Sequence, residues 1–412
     1  MKKKNKCYLK DILIDLKNDS RFSIFEVIII VFISILFGII IGYIITYTNT
    51  NINLLRSSSG VKDIINTYDI ILDNYYKKVD EDKLSQAAIS GMINSLDDPN
   101  SLFMNSSATS EFNDYIDGEF VGIGVTVEYD GEYNRIIKVN KNSPAYKAGI
   151  KKDDLILNVD GKDCKGLYGK SLTKLIKGRK GTKVVLDIKR DNIEKTFTIV
   201  REVIEQENVY RKFLEYDDIN VGYLKIDIFS DNIYKQFNKS LIKLEDKKIN
   251  YLIIDLRDNA GGSLKETKKI LSLFFDKNTV LYRLKSRDSS VKKIYSTTNI
   301  NRDYPVIFLV NKSTASASEV MVSCFKDNYK NVTIIGEVTY GKGTVQRTKT
   351  LNSGTSVKYT TETWLTSRGK SINNKGIKPD YNIELDDSYY SNKSMDNDTQ
   401  FQKAIEIIKK SR

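Results

Sequence analysis

Ser316 stands in the run Asn311-Lys312-Ser313-Thr314-Ala315-Ser316-Ala317-Ser318-Glu319, where an apolar strand, Val306 to Val310, passes into a helix. A serine at such a junction has its hydroxyl beside the helix's free N–H groups, where negative charge is favoured, and its small neighbours leave room for a substrate. A plainer reading, an N-cap serine with Glu319 completing a capping box, is compatible with the first. The hydroxyl becomes a nucleophile only beside a base, and the chain contains no histidine. Ser-His-Asp triads, Cys-His dyads, His-ligated zinc and histidine proton shuttles are therefore excluded within the chain, and proton chemistry falls to Lys, Asp, Glu, Tyr or Cys. Lys342, in Gly341-Lys342-Gly343-Thr344-Val345-Gln346 after the strand Val332 to Ile335, is the natural candidate base. An amine of ordinary pKa about 10.4 can serve near neutral pH only if burial against apolar residues lowers that value.

A third strand, Tyr251 to Leu256, ends in Arg257-Asp258-Asn259-Ala260-Gly261-Gly262. Paired glycines at a strand end allow a tight turn and present N–H groups to an incoming atom, although a simple helix start would look the same. Gly336 to Lys342 also comes close to a phosphate-binding Gly-x-x-x-x-Gly-Lys loop, with Asp255 on an acidic strand, which would make the chain a nucleotide hydrolase. Three features oppose that: Gly343 occupies the position where Ser or Thr would meet Mg²⁺, Thr344 to Thr348 reads as a strand, and the acidic strand precedes the loop.

The elements that must position these motifs alternate between apolar strands (Val221 to Ile226, Tyr251 to Leu256, Val306 to Val310, Val332 to Ile335) and helical stretches (Asn232 to Leu244, Leu264 to Phe275, Ala317 to Lys330). Such alternation predicts an α/β layer with buried strands. From Phe120 to about Arg201 the texture changes to short alternating strands with Gly and Asn/Asp turns. Ahead of it, Val61, Ile64, Ile65, Tyr68, Ile71, Leu72 and Tyr75, then Leu84, Ala87, Ala88 and Met92, recur at helical spacing around a break at Val79-Asp80, predicting a helical pair. A short helix is expected at Phe401 to Ile408.

Val27 to Ile45 is an uncharged, almost wholly apolar run of about 29 Å as a helix, close to the thickness of a bilayer core. Lys2, Lys3, Lys4, Lys6, Lys10, Lys17 and Arg21 precede it, which predicts a retained single-pass anchor with a cytoplasmic N-terminus and everything after about residue 46 outside. Cys7, Cys164 and Cys324 are too far apart for a metal or dithiol motif, and a disulfide framework is excluded. The net charge of +12 is spread along the chain without the aromatic interleaving of a nucleic-acid binder, so it is read as solvated surface.

The run Ser143-Pro144-Ala145-Tyr146-Lys147-Ala148-Gly149-Ile150, followed by Asp154-Leu155-Ile156-Leu157-Asn158-Val159-Asp160-Gly161, is similar to the bacterial form of the PDZ domain. By that resemblance Gly122-Ile123-Gly124-Val125 is the loop whose N–H groups hold a chain-terminal carboxylate, and Asp153 stands where the family usually has Gly. Asp255-Leu256-Arg257-x-Asn259-x-Gly261-Gly262, Thr314 to Glu319 and Gly341 to Gln346, together with Trp364 to Gly369, Gly376 to Asp380 and Asp97-Asp98-Pro99-Asn100-Ser101, closely resemble the carboxyl-terminal processing proteases over about residues 60 to 380. The resemblance implies an α/β peptidase core of tricorn-like, ClpP/crotonase-related type with an inserted PDZ domain, an N-terminal helical segment and one transmembrane helix. It implies Ser316 as nucleophile, Lys342 as general base, Gln346 as the group positioning Lys342, and an oxyanion hole from the N–H groups of Gly261 or Gly262 and of Ala317. Thr339, Glu319 and Asp327 match supporting positions, and Ser313 and Ser318 compete with Ser316 only by proximity.

The expected boundaries are a cytoplasmic tail at 1–22, an anchor at 23–47, the helical segment at 60–104, the PDZ domain at 105–201, the peptidase core at 202–385 and a tail at 386–412. The expected activity is serine endopeptidase cleavage outside the membrane, without cofactor or metal, on protein or peptide substrates with free C-termini. No nucleic-acid partner is expected, and homo-oligomers could form through the N-terminal helices. The competing reading is a catalytically inactive PDZ adaptor on the same fold.

Overall fold

The computed structural model describes residues 23–55, 59–299 and 302–411. The basic residues ahead of the apolar run and Cys7 lie outside the described residues. The chain divides into two units, one ending at Ile89 and the other beginning at Ser90.

The first unit is helical. Helix α1 (Ile24–Leu55) contains Phe25–Ile44, a stretch of 20 residues long and apolar enough to cross a membrane, none of it buried. Helices α2 (Ser59–Asn74) and α3 (Glu81–Asn94) form the expected pair on either side of Val79-Asp80. Ile64, Ile65, Tyr68 and Ile71 of α2 face Leu84, Ala88 and Ile89 of α3 across an open apolar groove of about 500 Å³.

The second unit opens with β1 (Leu102–Met104) and α4 (Ser106–Asp117), which Asn105 caps by accepting the Ala108 N–H (2.9 Å). A ribbon of β2 (Glu119–Gly122) and β9 (Glu202–Glu205) brackets a small sheet ordered β3-β4-β5-β7-β8. Its strands are β3 (Val125–Tyr129), β4 (Asn134–Val139), β5 (Leu155–Val159), β7 (Lys183–Arg190) and β8 (Ile193–Val200), with the short β6 (Lys162–Asp163) on β5. Two helices, α5 (Pro144–Ala148) and α6 (Lys170–Ile176), close its core of Ile123, Ile136, Ile156, Leu172, Val184, Leu186 and Ile188. Asp153 has φ +72°, a left-handed conformation that Asp tolerates where a glycine would be free of strain.

The larger sheet runs β10-β11-β12-β15-β16-β19. Its members are β10 (Val209–Tyr216), β11 (Ile219–Ile226), β12 (Tyr251–Asp255), β15 (Val306–Val310), β16 (Val332–Gly336) and β19 (Tyr381–Asn382), all parallel except the edge strand β10. Alternate residues enter two cores. Leu252, Ile254, Val306, Phe308, Val310 and Ile334 pack under the helices α7 (Ile233–Glu245), α8 (Leu264–Leu271) and α9 (Ala317–Asn328). Ile253, Ile307, Leu309 and Ile335 meet Phe401, Ala404, Ile405 and Ile408 of α11 (Thr399–Lys410) on the other side. Burial on both faces explains why these strands read as unbroken apolar runs. Helix α8 stops at Leu271, short of the expected Phe275: the Ser272 N–H already bonds Lys268 O, and Leu273 and Phe274 close tighter turns on Ile270 and Leu271.

Of a second sheet the sequence predicts only one strand, Thr344 to Thr348, which is β17 (Thr344–Thr350). Strands β1, β18 (Ser356–Leu365), β13 (Val280–Ser286) and β14 (Val291–Tyr295) lie in that order, and β17 (Thr344–Thr350) pairs β18. A short helix, α10 (Asp387–Ser391), precedes α11.

Candidate functional site

The three motifs converge because β12, β15 and β16 are adjacent parallel strands that end on the same side, where open α/β sheets place their ligands. Asn259, fully buried, staples the first strand end to the second. Its carbonyl accepts the Ala315 N–H (3.0 Å) and the Ser318 hydroxyl (3.0 Å), its Nδ2 donates to Ile226 O (2.8 Å), and its Oδ1 accepts the Gly261 N–H (2.9 Å). Ser318 is thereby buried and engaged, while Ser313 is exposed on the loop. Ser316 alone of the three lines a cavity of about 480 Å³, with Gly261, Gly262, Lys342 and Gln346 in the same wall.

Ser316 has φ +55° and ψ −116°, a strained conformation for a residue with a Cβ. It persists because the surroundings over-determine it. Glu319, fully buried, accepts four donors: the N–H groups of Ser316 (2.9 Å), Gly341 (2.7 Å) and Lys342 (2.9 Å), and the Thr339 hydroxyl (2.6 Å). The capping-box glutamate therefore does more than cap α9: one carboxylate ties the backbone of the serine to the backbone of the lysine. Trp364 Nε1 donates to Lys342 O (2.8 Å) and Asn373 Oδ1 accepts the Gly343 N–H (3.0 Å), so the lysine loop is held from three sides. Asp327, the remaining supporting candidate, lies away from the cavity wall and fixes the Ser367-Arg368 turn, accepting the Ser367 hydroxyl at 2.8 Å.

The Lys342 side chain is half-buried, and its Nζ makes no ion pair or hydrogen bond among the described residues. Burial lowers its pKa and the neighbouring Lys358 ammonium lowers it further, against the opposing pull of Asp98 and Glu319. Lys358, on β18 and in the same cavity, is lowered for the same first reason and lies over the Phe112 ring at 5.3 Å. Gln346 donates through Nε2 to Thr344 Oγ1 (2.8 Å) and Thr360 Oγ1 (3.0 Å).

Gly261 and Gly262 have φ +101° and +137°, and a Cβ on Gly261 would stand 2.9 Å from both Ala317 N and Ser316 Cβ. Only residues without a Cβ fit this approach. The Gly261 N–H is committed to Asn259, whereas those of Gly262 and Ala317 donate to nothing among the described residues. Of the two glycines paired as alternatives, Gly262 is the one with a free donor.

Asp255 is not available to hold magnesium. It accepts the Tyr223 hydroxyl (2.7 Å) and a buried ion pair from Arg257 (2.5 Å), which also meets Asp398 (2.8 Å). The lysine loop leads into strand β17, which removes the helix that a phosphate-binding loop requires.

At the other end of the unit, the loop between β2 and β3 leaves the Ile123 and Gly124 N–H groups without acceptors among the described residues. Helix α4 borders two clefts. Phe112, Tyr115 and Ile116 line the cavity at Ser316, while Ser107, Ser110, Glu111 and Asp114 line a second cleft against α6. Glu111 pairs with Lys170 (2.7 Å) and Asp114 with Lys177 (2.8 Å) across that cleft.

Lys358, Thr344, Thr360 and Trp364 were not found from the sequence as parts of a site. Thr344 and Trp364 carried a signal as members of the quoted motifs, whereas Lys358 and Thr360 lie on β18 with nothing in their local pattern to place them beside the Lys342 loop or Gln346.

Residues 220–383 match peptidase family S41, residues 120–200 a PDZ domain, and residues 46–108 the N-terminal domain of the activating protease CtpB. The carboxy-terminal processing protease CtpA of Bacillus subtilis is 40% identical over 322 residues, spanning 78% of this chain and 68% of its own. CtpB of the same organism is 35% identical over 326 residues, spanning 79% and 68%. The structure of an S41 protease from Bacteroides fragilis is similar with a TM-score of 0.51 at 19% identity, covering 82% of this chain and 92% of that one, a likeness of fold.

Proposed function

From the premise that the chain belongs to peptidase family S41 and is a serine-type C-terminal processing peptidase with a PDZ domain, we propose that it cleaves through a Ser316/Lys342 dyad. The neutral amine of Lys342 takes the Ser316 proton as Oγ attacks the scissile carbonyl, and the resulting ammonium passes that proton to the leaving amine. Gly262 and Ala317 donate their N–H groups to the oxyanion, and water then hydrolyses the acyl-enzyme. The observation that carries this reading is the half-buried, unpaired Lys342 amine in the same cavity as the strained Ser316 and these two unoccupied donors. A fluorophosphonate probe is expected to label the purified protein at Ser316 and Ser316→Ala is expected to cleave no peptide; an unlabelled protein that still bound C-terminal peptides would favour the inactive adaptor.

In this reading Gly122, Ile123, Gly124 and Val125 hold the substrate's terminal carboxylate, supported by the free Ile123 and Gly124 donors. The division into PDZ domain at 105–201 and peptidase core at 202–385, and the core's kinship with ClpP and crotonase folds, belong to the same proposal. Helix α1 anchors the protein with its catalytic part outside the cell membrane, supported by the wholly exposed apolar Phe25–Ile44 and the basic residues ahead of it. Protease added to intact cells should then digest the second unit; protection until lysis would reverse the orientation. The open groove between α2 and α3 supports self-association there, which sedimentation of the detergent-solubilised protein would reveal.

A further inference from the structure

A file of polar side chains runs into the cavity from a segment that carries none of the three motifs. Asp98, in the turn ahead of β1, accepts hydrogen bonds from the Ser101 hydroxyl (2.6 Å), the Thr360 hydroxyl (2.5 Å) and the Asn100 N–H (3.0 Å). Thr360 stands on β18 directly opposite Gln346 on β17, and its Oγ1 is 3.0 Å from Gln346 Nε2. Burial raises the Asp98 carboxyl pKa, but the bonds from Ser101, Thr360 and Asn100 outweigh it and hold the group below the ordinary aspartate value. The carboxylate is therefore ionised wherever a lysine base operates, and an ionised carboxylate only accepts.

This fixes the direction of every bond in the file. Thr360 has one hydroxyl hydrogen, and Asp98 takes it. Its oxygen can then only accept from Gln346, so the amide nitrogen must be the end turned toward the threonines. Thr344 receives the second N–H of that amide (2.8 Å). Gln346 Oε1 is left with no donor among the described residues, on a side chain that lines the cavity with Lys342.

We propose that Asp98, acting through Thr360, fixes the Gln346 amide so that its Oε1 accepts a hydrogen bond from the Lys342 ammonium that forms when Ser316 gives up its proton. The inference rests on the Ser316/Lys342 reading. Asp98 and Thr360 are positioning residues; neither touches the substrate. With the file broken, the amide can turn over and present N–H donors to an ammonium, which repels it. Loss of the acceptor also makes the protonated amine less favourable, so the base titrates at lower pH.

The test uses the full chain in detergent and a short chromogenic peptide, with kcat and KM followed from pH 6 to 10. Thr360→Val is expected to lower kcat about tenfold, the worth of about one hydrogen bond, with KM nearly unchanged and the rising limb of the kcat profile moved to lower pH. Thr360→Ser should restore both the rate and the position of that limb. Gln346→Ala/Thr360→Val should be no slower than Gln346→Ala alone, because Thr360 acts only through Gln346. Should Thr360→Val melt early, Asp98→Asn carries the coupling arm of the test at native shape: added to Gln346→Ala it should slow the enzyme no further, whereas its pH shift is not read, because losing the Asp98 charge by itself lowers the Lys342 pKa. An unmoved pH profile, additive losses in the double variant, or a serine as damaging as valine would overturn the proposal. Activity persisting in Lys342→Ala would instead overturn the dyad reading beneath it.

Discussion

Two loops of the second unit are built from the same material. Residues 122–125 and 259–262 each carry the chain from a strand into the next element through glycines, and each ends with backbone N–H groups that have no acceptor among the described residues: Ile123 and Gly124 in one, Gly262 with Ala317 beside it in the other. They differ in what stands next to the nest. The Ile123 side chain is sealed into the small domain's core, and the one hydroxyl described against the loop, Ser143, is engaged in capping α5 and bonding Gly124 O, so an anion bound there can only stay or leave. The second nest lies against Ser316, with the Gly261 backbone so close that a Cβ would collide with the serine's own. A backbone anion site is therefore chemically neutral, and its neighbours decide whether it binds or reacts.

The comparison breaks first at the neighbour. Lys342→Arg keeps the charge but cannot give a neutral base, so peptide cleavage by the purified protein is expected to fall by about four orders of magnitude or more, as for loss of a nucleophile's partner. A measurable Lys342→Arg rate in the presence of EDTA would remove lysine from the mechanism. Next comes the reactive nest itself. A Cβ on Gly262 would stand 2.3 Å from Phe229 O at a φ of +137°, so Gly262→Ala displaces the donor and should cost about 10² to 10³ in kcat. A melting curve close to wild type alongside that loss would separate a lost donor from a lost fold.

The loop at 122–125, which we propose holds the substrate carboxylate, is expected to behave otherwise. At Gly124, with φ +81°, a Cβ would lie 2.4 Å from Ser143 Cβ, so Gly124→Ala should abolish dependence on a free C-terminal carboxylate while leaving hydrolysis of a short peptide nearly unchanged. Equal losses on both substrates would merge the two loops into one function. The smallest effect sharpens the electrostatics: Lys358→Met removes a positive neighbour that helps lower the Lys342 pKa, so that pKa rises and the activity's rising limb moves to higher pH. A limb that stays in place in a rate profile from pH 6 to 10 would mean that burial alone depresses the base.

Ser316, Lys342 and the glycine pair were legible in the sequence because each sits just after an unbroken apolar strand, and strands buried on both faces announce themselves. Their convergence came from parallel neighbours ending together. Beyond β17, the second sheet was illegible for a matching reason. Strand β18 is partly solvated, mixes Lys358, Tyr359, Thr360 and Glu362 among its apolar residues, and pairs with β1 more than two hundred residues away. No local pattern encodes that Asp98 meets Thr360. The role of Glu319 was half visible: spacing identified a capping box, but its bonds to Thr339, Gly341 and Lys342 depend on a loop brought in by β16.

Helix α4 belongs to both clefts at once, one side against the cavity at Ser316 and the other bridged by Glu111 and Asp114 to Lys170 and Lys177. The shared wall gives the two sites a route for coupling, and any such coupling is reciprocal by thermodynamic necessity. Whatever factor a peptide seated beside α6 imposes on ligand affinity at the serine, a ligand held reversibly at the serine must impose on that peptide. A transition-state mimic and a C-terminal peptide, titrated in either order, then report the same coupling, and its sign says whether occupancy of the PDZ domain opens the cavity or closes it.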